Sequence, residues 1–132
     1  MTFQPADVVV RDAVSEIVSY LKGEGFPAVT DMSGWSGGPI ALFSRVGGQL
    51  SGVFDRVDVQ FDCYGATRDE ADDLCGNLRA LMLTLRGTLP FVVGSRENFG
   101  GMWMPEVADD ITVPRFVSEW SVTCRPVETS SS

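Results

Sequence analysis

The stretch DRVDVQFDCYGATRDEADDLCGNLRALMLTLRG, residues 55–87, changes its hydrophobic period midway, and no other feature constrains the fold as tightly. Val57, Val59, Phe61 and Cys63 alternate with Asp58, Gln60, Asp62 and Tyr64, the period of a strand with one face on a core. After Gly65 and Ala66 the period becomes 3.6, and Ala71, Leu74, Cys75, Leu78, Leu81, Met82 and Leu85 form one helical stripe. Thr67 and Glu70 stand at capping-box spacing: the hydroxyl takes an orphan backbone N–H and the carboxylate reaches back to the cap. Gly87 is the expected stop, with Arg86 in the last turn where the helix dipole favours a cation.

The rest of the chain fits around this junction. A first helix is predicted over about 7–23, capped by Asp7, with the stripe Val10, Val14, Ile17, Val18 and Leu21 and with Arg11, Asp12, Glu16 and Lys22 off it. A short strand FPAVT (26–30) leads to the loop DMSGWSGGP (31–39), a strand IALFSRV (40–46) and a Gly-rich hairpin connection at 47–52. LPFVV (89–93) reads as a strand and 94–114 as a long irregular segment. The closing strand RFVSEWSVTCR (115–125) puts Phe116, Trp120, Val122 and Cys124 on one face and Glu119, Ser121 and Thr123 on the other. This order predicts an α+β two-layer sandwich: an antiparallel or mixed sheet of about four strands, with two helices packed on one face. At 132 residues the chain is long enough for one domain, assigned to 1–126, with 127–132 as a flexible tail.

Residues 55–75 hold seven acids (Asp55, Asp58, Asp62, Asp69, Glu70, Asp72, Asp73) against Arg56 and Arg68, so they contribute −5 of the net charge of −8. Asp58 and Asp62 share a strand face but lie roughly 13 Å apart, too far to share a cation or form a glycosidase pair. The other late acids sit in the first turns of a helix, where they complement the macrodipole, and their spacing matches no EF-hand loop. There is no His, which removes Ser-His-Asp and Cys-His chemistry and the commonest metal ligand. Cys63, Cys75 and Cys124 fall on apolar faces, form no CxxC and have no base placed beside them by the sequence. No phosphate-loop or nucleophile-elbow pattern occurs, and a single Lys with an acidic balance argues against a duplex-binding surface. The expectation is a chain without catalytic residues, cofactor or metal. No run is long enough to cross a bilayer and the first residues lack a signal-peptide pattern.

The strand DRVDVQFDCYG running into TRDEADDLCGNLRALMLTLRG, followed by a Trp-containing loop and PRFVSEWSVTCR, resembles the tail terminator (tail-completion) proteins of long-tailed bacteriophages. The resemblance spans about 1–126 and is clearest over 55–87 and 115–125. It implies a small α+β subunit that forms a sixfold ring, caps the tail tube, ends its polymerisation and meets the head–tail connector. DNA would pass through without specific binding, and the location would be the virion tail or neck after assembly in the host cytoplasm. The aromatic and Met residues Trp35, Phe99, Met102, Trp103 and Met104 are candidates for a subunit or partner interface, with filling of the core as the equal alternative. Asp58, Gln60, Asp62 and Glu119 are candidates for a polar sheet face or lumen, whose charge would repel phosphates. A neck or head-closure adaptor, a minor tail protein and a small-ligand-binding α+β module stand as alternatives.

Overall fold

Residues 55–64 form a strand and residues 68–83 a helix, as the two hydrophobic periods predict. A computed structural model describes residues 8–9, 12–51, 53–125 and 127–128. In chain order the elements are β1 (Val8–Val9), α1 (Ala13–Gly23), β2 (Ala28–Val29), β3 (Ile40–Leu50), β4 (Asp55–Tyr64), α2 (Arg68–Leu83), α3 (Leu85–Thr88), β5 (Val92–Trp103), β6 (Glu106–Ala108), β7 (Ile111–Val113), β8 (Arg115–Cys124) and β9 (Val127–Glu128). Five of the strands make one mixed sheet in the order β2-β3-β4-β8-β5, in which β2 is parallel to β3 and every other pair is antiparallel. Three helices pack against it, so the α+β class holds, with one strand and one helix more than the sequence predicts.

The core lies between the helices and one face of this sheet. Across the central pair, Val57 faces Val122, Val59 faces Trp120 and Cys63 faces Phe116, all buried. Phe43 on β3 stacks on Phe61 with ring centroids 5.0 Å apart. From above come Ala13, Val14, Ile17, Val18 and Leu21 of α1, and Ala71, Leu74, Cys75, Leu78 and Met82 of α2. Each fully buried Ile, Leu or Phe here contributes about 1.5–3 kcal/mol. Trp120 is fully buried without an orphan donor: its indole N–H donates to Ser118 Oγ at 2.9 Å, and that hydroxyl donates to the Phe99 carbonyl at 3.1 Å.

The structure redraws several boundaries. Helix α1 starts at Ala13, capped by Asp12, whose carboxylate accepts the Ser15 N–H at 3.2 Å. The predicted cap Asp7, and Val10 and Arg11, lie outside the described residues; Val8 and Val9 pair antiparallel with Val127 and Glu128, so part of the expected tail is a strand. Helix α2 stops at Leu83 rather than Gly87, because the Thr84 hydroxyl and N–H both donate to the Leu81 carbonyl and close the last turn; Gly87 lies inside the short α3. The Thr67 cap forms, with Oγ1 accepting from the Glu70 N–H at 3.1 Å, but Glu70 accepts from the Ala66 N–H at 2.9 Å, one residue before the cap.

Two stretches expected as connections are strands. Residues 47–50 continue β3 beyond a register shift between Arg45 and Gly47. The segment 94–103 is the body of β5, whose three register shifts hide any alternation. Beyond it, β6 and β7 form a hairpin turning on Asp109 and Asp110, both at positive φ (51° and 63°).

Candidate functional site

The polar face of the sheet is built by register. Gln60 pairs with Glu119, Asp58 with Ser121 and Asp62 with Val117, so all four acidic and amide residues singled out from the sequence share the face opposite the core. They are half-buried and each is hydrogen-bonded to a neighbour on the sheet, not freely solvated. The Ser121 hydroxyl, 2.7 Å from Asp58 Oδ1 and 3.2 Å from Asn98 Oδ1, donates its one proton between them. Asn98 Nδ2 in turn donates to Glu119 at 2.8 Å and to Ser121 Oγ at 3.0 Å. Gln60 donates to Asp62 at 2.9 Å, and Arg115 and Arg56 stand 3.5 and 3.6 Å from Asp62 and Asp58. Three carboxylates are thereby tied to donors on three strands, and the face carries less bare negative charge than its composition suggests.

Tyr64, expected on the open side of β4, is buried: the Trp35 ring packs on it with centroids 5.6 Å apart and Arg115 lies over it. Its phenol is pushed up, first by desolvation. Trp35 is itself held in place by an indole hydrogen bond to the Gly38 carbonyl at 2.8 Å.

All three thiols are buried. Cys63 of β4 and Cys75 of α2 share a hydrogen bond that, together with burial, holds the Cys63 thiol far above its usual range. The same hydrogen bond pulls Cys75 down, and Arg79, one helical turn beyond it on α2, adds to the shift, a basic neighbour that the sequence reading overlooked. Arg79 itself forms a bidentate fork on Glu97, both bonds 2.8 Å, which ties α2 to β5. A Cβ at Gly100 would collide with this fork, so the glycine lets the bulged β5 pass beneath it. Asp55 is fully buried, with Arg45 Nη2 at 3.5 Å as its counter-charge. Among the described residues no three His, Cys, Asp or Glu side chains converge as a metal-ligand set, and no helix is long and apolar enough to cross a membrane.

The sequence matches no protein-family model, and no curated protein matches it.

The five candidate interface residues divide. Trp35 sits on Tyr64, and Trp103 packs against Phe116 at 5.1 Å under the Arg68 guanidinium, 4.5 Å from its centroid. Phe99 is half-buried on the polar face opposite Glu119, while Met102 and Met104 are exposed. Sequence reasoning missed the largest apolar exposure. Val46, Leu50, Val53 and Phe54 stand open on the β3–β4 hairpin, and Val107 and Ile111 on the β6–β7 hairpin beside Met102 and Met104. The dipeptide Val53–Phe54, set in a Ser-Gly turn region, was the available signal: large apolar side chains in a turn have no core to enter.

Proposed function

We propose that this chain is a structural subunit that assembles head to tail into a closed ring, the role of a tail terminator in a long-tailed bacteriophage. One observation carries the reading. Among the described residues, eight of the nine exposed large hydrophobics lie on or beside two hairpin arms, Val46 to Phe54 at the β3–β4 end and Met102 to Ile111 around the β6–β7 hairpin, and these arms project from opposite ends of the sheet. The ten residues of β4 span the distance between them, about 30 Å. Two different apolar patches on opposite ends of a subunit suit a heterologous contact, in which the arm of one copy meets the far end of the next, and repetition closes a ring. The sequence resemblance at 55–87 and 115–125 supplies the tail-terminator assignment and the expected sixfold symmetry. In such a ring the half-neutralised part of the polar sheet face around Asp58, Gln60, Asp62 and Glu119 is the surface best suited to line a passage for DNA without gripping it.

Native mass spectrometry of the purified chain at micromolar concentration tests the assembly, with a hexamer as the expected species. A strict monomer at every concentration would refute it. Addition to purified tail tubes and to connector-filled heads then tests the role: a terminator stops tube growth, whereas a neck adaptor binds heads alone.

A further inference from the structure

At one end of the polar sheet face the charge reverses. Arg56 on β4 is opposite Thr123 on β8, which is opposite Gly94 on β5; one row along, Asp58, Ser121 and Arg96 line up in the same way. Two arginines therefore stand on the strands either side of β8, one row apart. The floor between them is made of two hydroxyl residues and a glycine. With strands about 4.8 Å apart, the two arginines border this floor from both sides. The resulting cleft has a volume of about 330 Å³ and is lined by Arg56, Gly94, Ser95, Arg96, Ser121 and Thr123.

Its donors are largely uncommitted. Both arginines are exposed. Among the described residues Arg96 makes no ion pair, and Arg56 has a single contact, with Asp58 at 3.6 Å. Thr123 makes no side-chain hydrogen bond among the described residues, and Ser121 alone is already engaged. Asp58 is the nearby carboxylate that opposes an anion, but it does not line the cleft. Its Oδ1 takes the Ser121 hydroxyl, and its Oδ2 is turned toward β3, 3.3 Å from where a Gly47 Cβ would stand. Gly94 keeps the floor open, since a Cβ there would lie 3.9 Å from the Thr123 Cβ and any larger side chain would cover the hydroxyl.

We infer that this cleft is a binding site for a phosphate group, held between the Arg56 and Arg96 guanidiniums above the Thr123 hydroxyl. Guanidinium forks match the tetrahedral oxyanion with charge-assisted hydrogen bonds, and a small, glycine-opened floor lets the oxygens approach the sheet. The same chemistry is offered by free phosphate and by the phosphodiester backbone of a nucleic acid. The site does not depend on ring formation, because all six lining residues belong to one copy.

The test is amide NMR of the full chain during titration with inorganic phosphate, and separately with a short single-stranded DNA, against sodium chloride at equal ionic strength. Phosphate or DNA is expected to shift Gly94, Ser95, Arg96, Ser121 and Thr123. Arg96→Ala is expected to weaken the response about tenfold or more, the effect of one lost charge-assisted hydrogen bond. Gly94→Val should abolish it by filling the floor while leaving every charge in place. A response to phosphate assigns the site to free phosphate, and a response to DNA alone assigns it to the phosphodiester backbone; either upholds the proposal provided it is weakened in each variant that folds. Absence of localised shifts with both ligands, equal shifts with chloride, or an undiminished response in the variants overturns it. The two variants act through different chemistry, so if one fails to fold the other decides.

Discussion

Gly48 gives the sharpest test of how the β3–β4 arm is built. It sits just past the register shift in β3 at φ +134°, a backbone conformation that L side chains rarely adopt. An added Cβ would also fall inside van der Waals distance of the Arg56 carbonyl oxygen on β4, and 3.1 Å from both the Arg56 carbonyl carbon and Arg45 Nη2. Gly48→Ala therefore carries two costs. Backbone strain at a disfavoured φ is worth about 1–3 kcal/mol. Forcing apart a close-packed contact adds about 1–3 kcal/mol, and here the obstacle is backbone of the paired strand, which yields less than a side chain tip. The expected loss is about 2–6 kcal/mol. For a domain of this size roughly 3–5 °C is lost per kcal/mol, so thermal melting followed by circular dichroism should fall by roughly 6–30 °C. Gly47→Ala is the control, because its Cβ would meet only the Asp58 carboxylate, at 3.3 Å, and its φ is ordinary; its loss should be well under half as large. If Gly48→Ala melts within about 0.5 kcal/mol of the parent, or no lower than Gly47→Ala, then the bulge does not hold residue 48 in this conformation and the reasoning fails.

Other perturbations probe other parts of the molecule. Thr67→Ala removes the acceptor of the Glu70 N–H and should cost about 1 kcal/mol in urea unfolding; no loss would mean that the α2 cap is dispensable. Val53→Asp combined with Ile111→Asp places charge on both arms without touching the core, and should give a folded monomer by native mass spectrometry; an intact ring would remove the arms from the interface. The Arg79 fork holds the Glu97 carboxyl below its usual range, so the stability it adds is complete above the unfolded value of about 4.3 and is lost as pH falls through the lower folded value. Acid titration below pH 4.3 should therefore narrow the stability difference between the parent and Glu97→Gln, and a gap that stays constant would contradict the fork. Because both side chains are partly exposed, solvent screening keeps this contribution small.

The candidate site was partly legible in the sequence. Alternation along β4 and β8 put Asp58, Gln60, Asp62 and Glu119 on one face, because a strand's side chains alternate whatever their neighbours are. The bonding of that face was not legible. Asn98 reaches Glu119 and Ser121 only because β5 lies beside β8, and β5 was hidden by glycines at 94, 100 and 101 and by three register shifts that break its alternation. The same concealment made Trp103 resemble an interface residue, when Phe116 and Arg68 close over it.

The sequence by itself determined the elements whose signal is local: the strand over 55–64, the helix that follows it and its cap at Thr67, the inner faces of β4 and β8, and the α+β class. Each depends on periods and caps set within a few residues. Only the tertiary structure decided the strand order β2-β3-β4-β8-β5, the burial of Tyr64 under Trp35, and the bonding of the acidic face to Asn98, Arg56 and Arg115. It also decided the placing of Arg56 and Arg96 around Thr123 in one cleft. These depend on which strands lie side by side, and residues as distant as Asp58 and Ser121, 63 positions apart, meet only when the whole sheet has closed around its core.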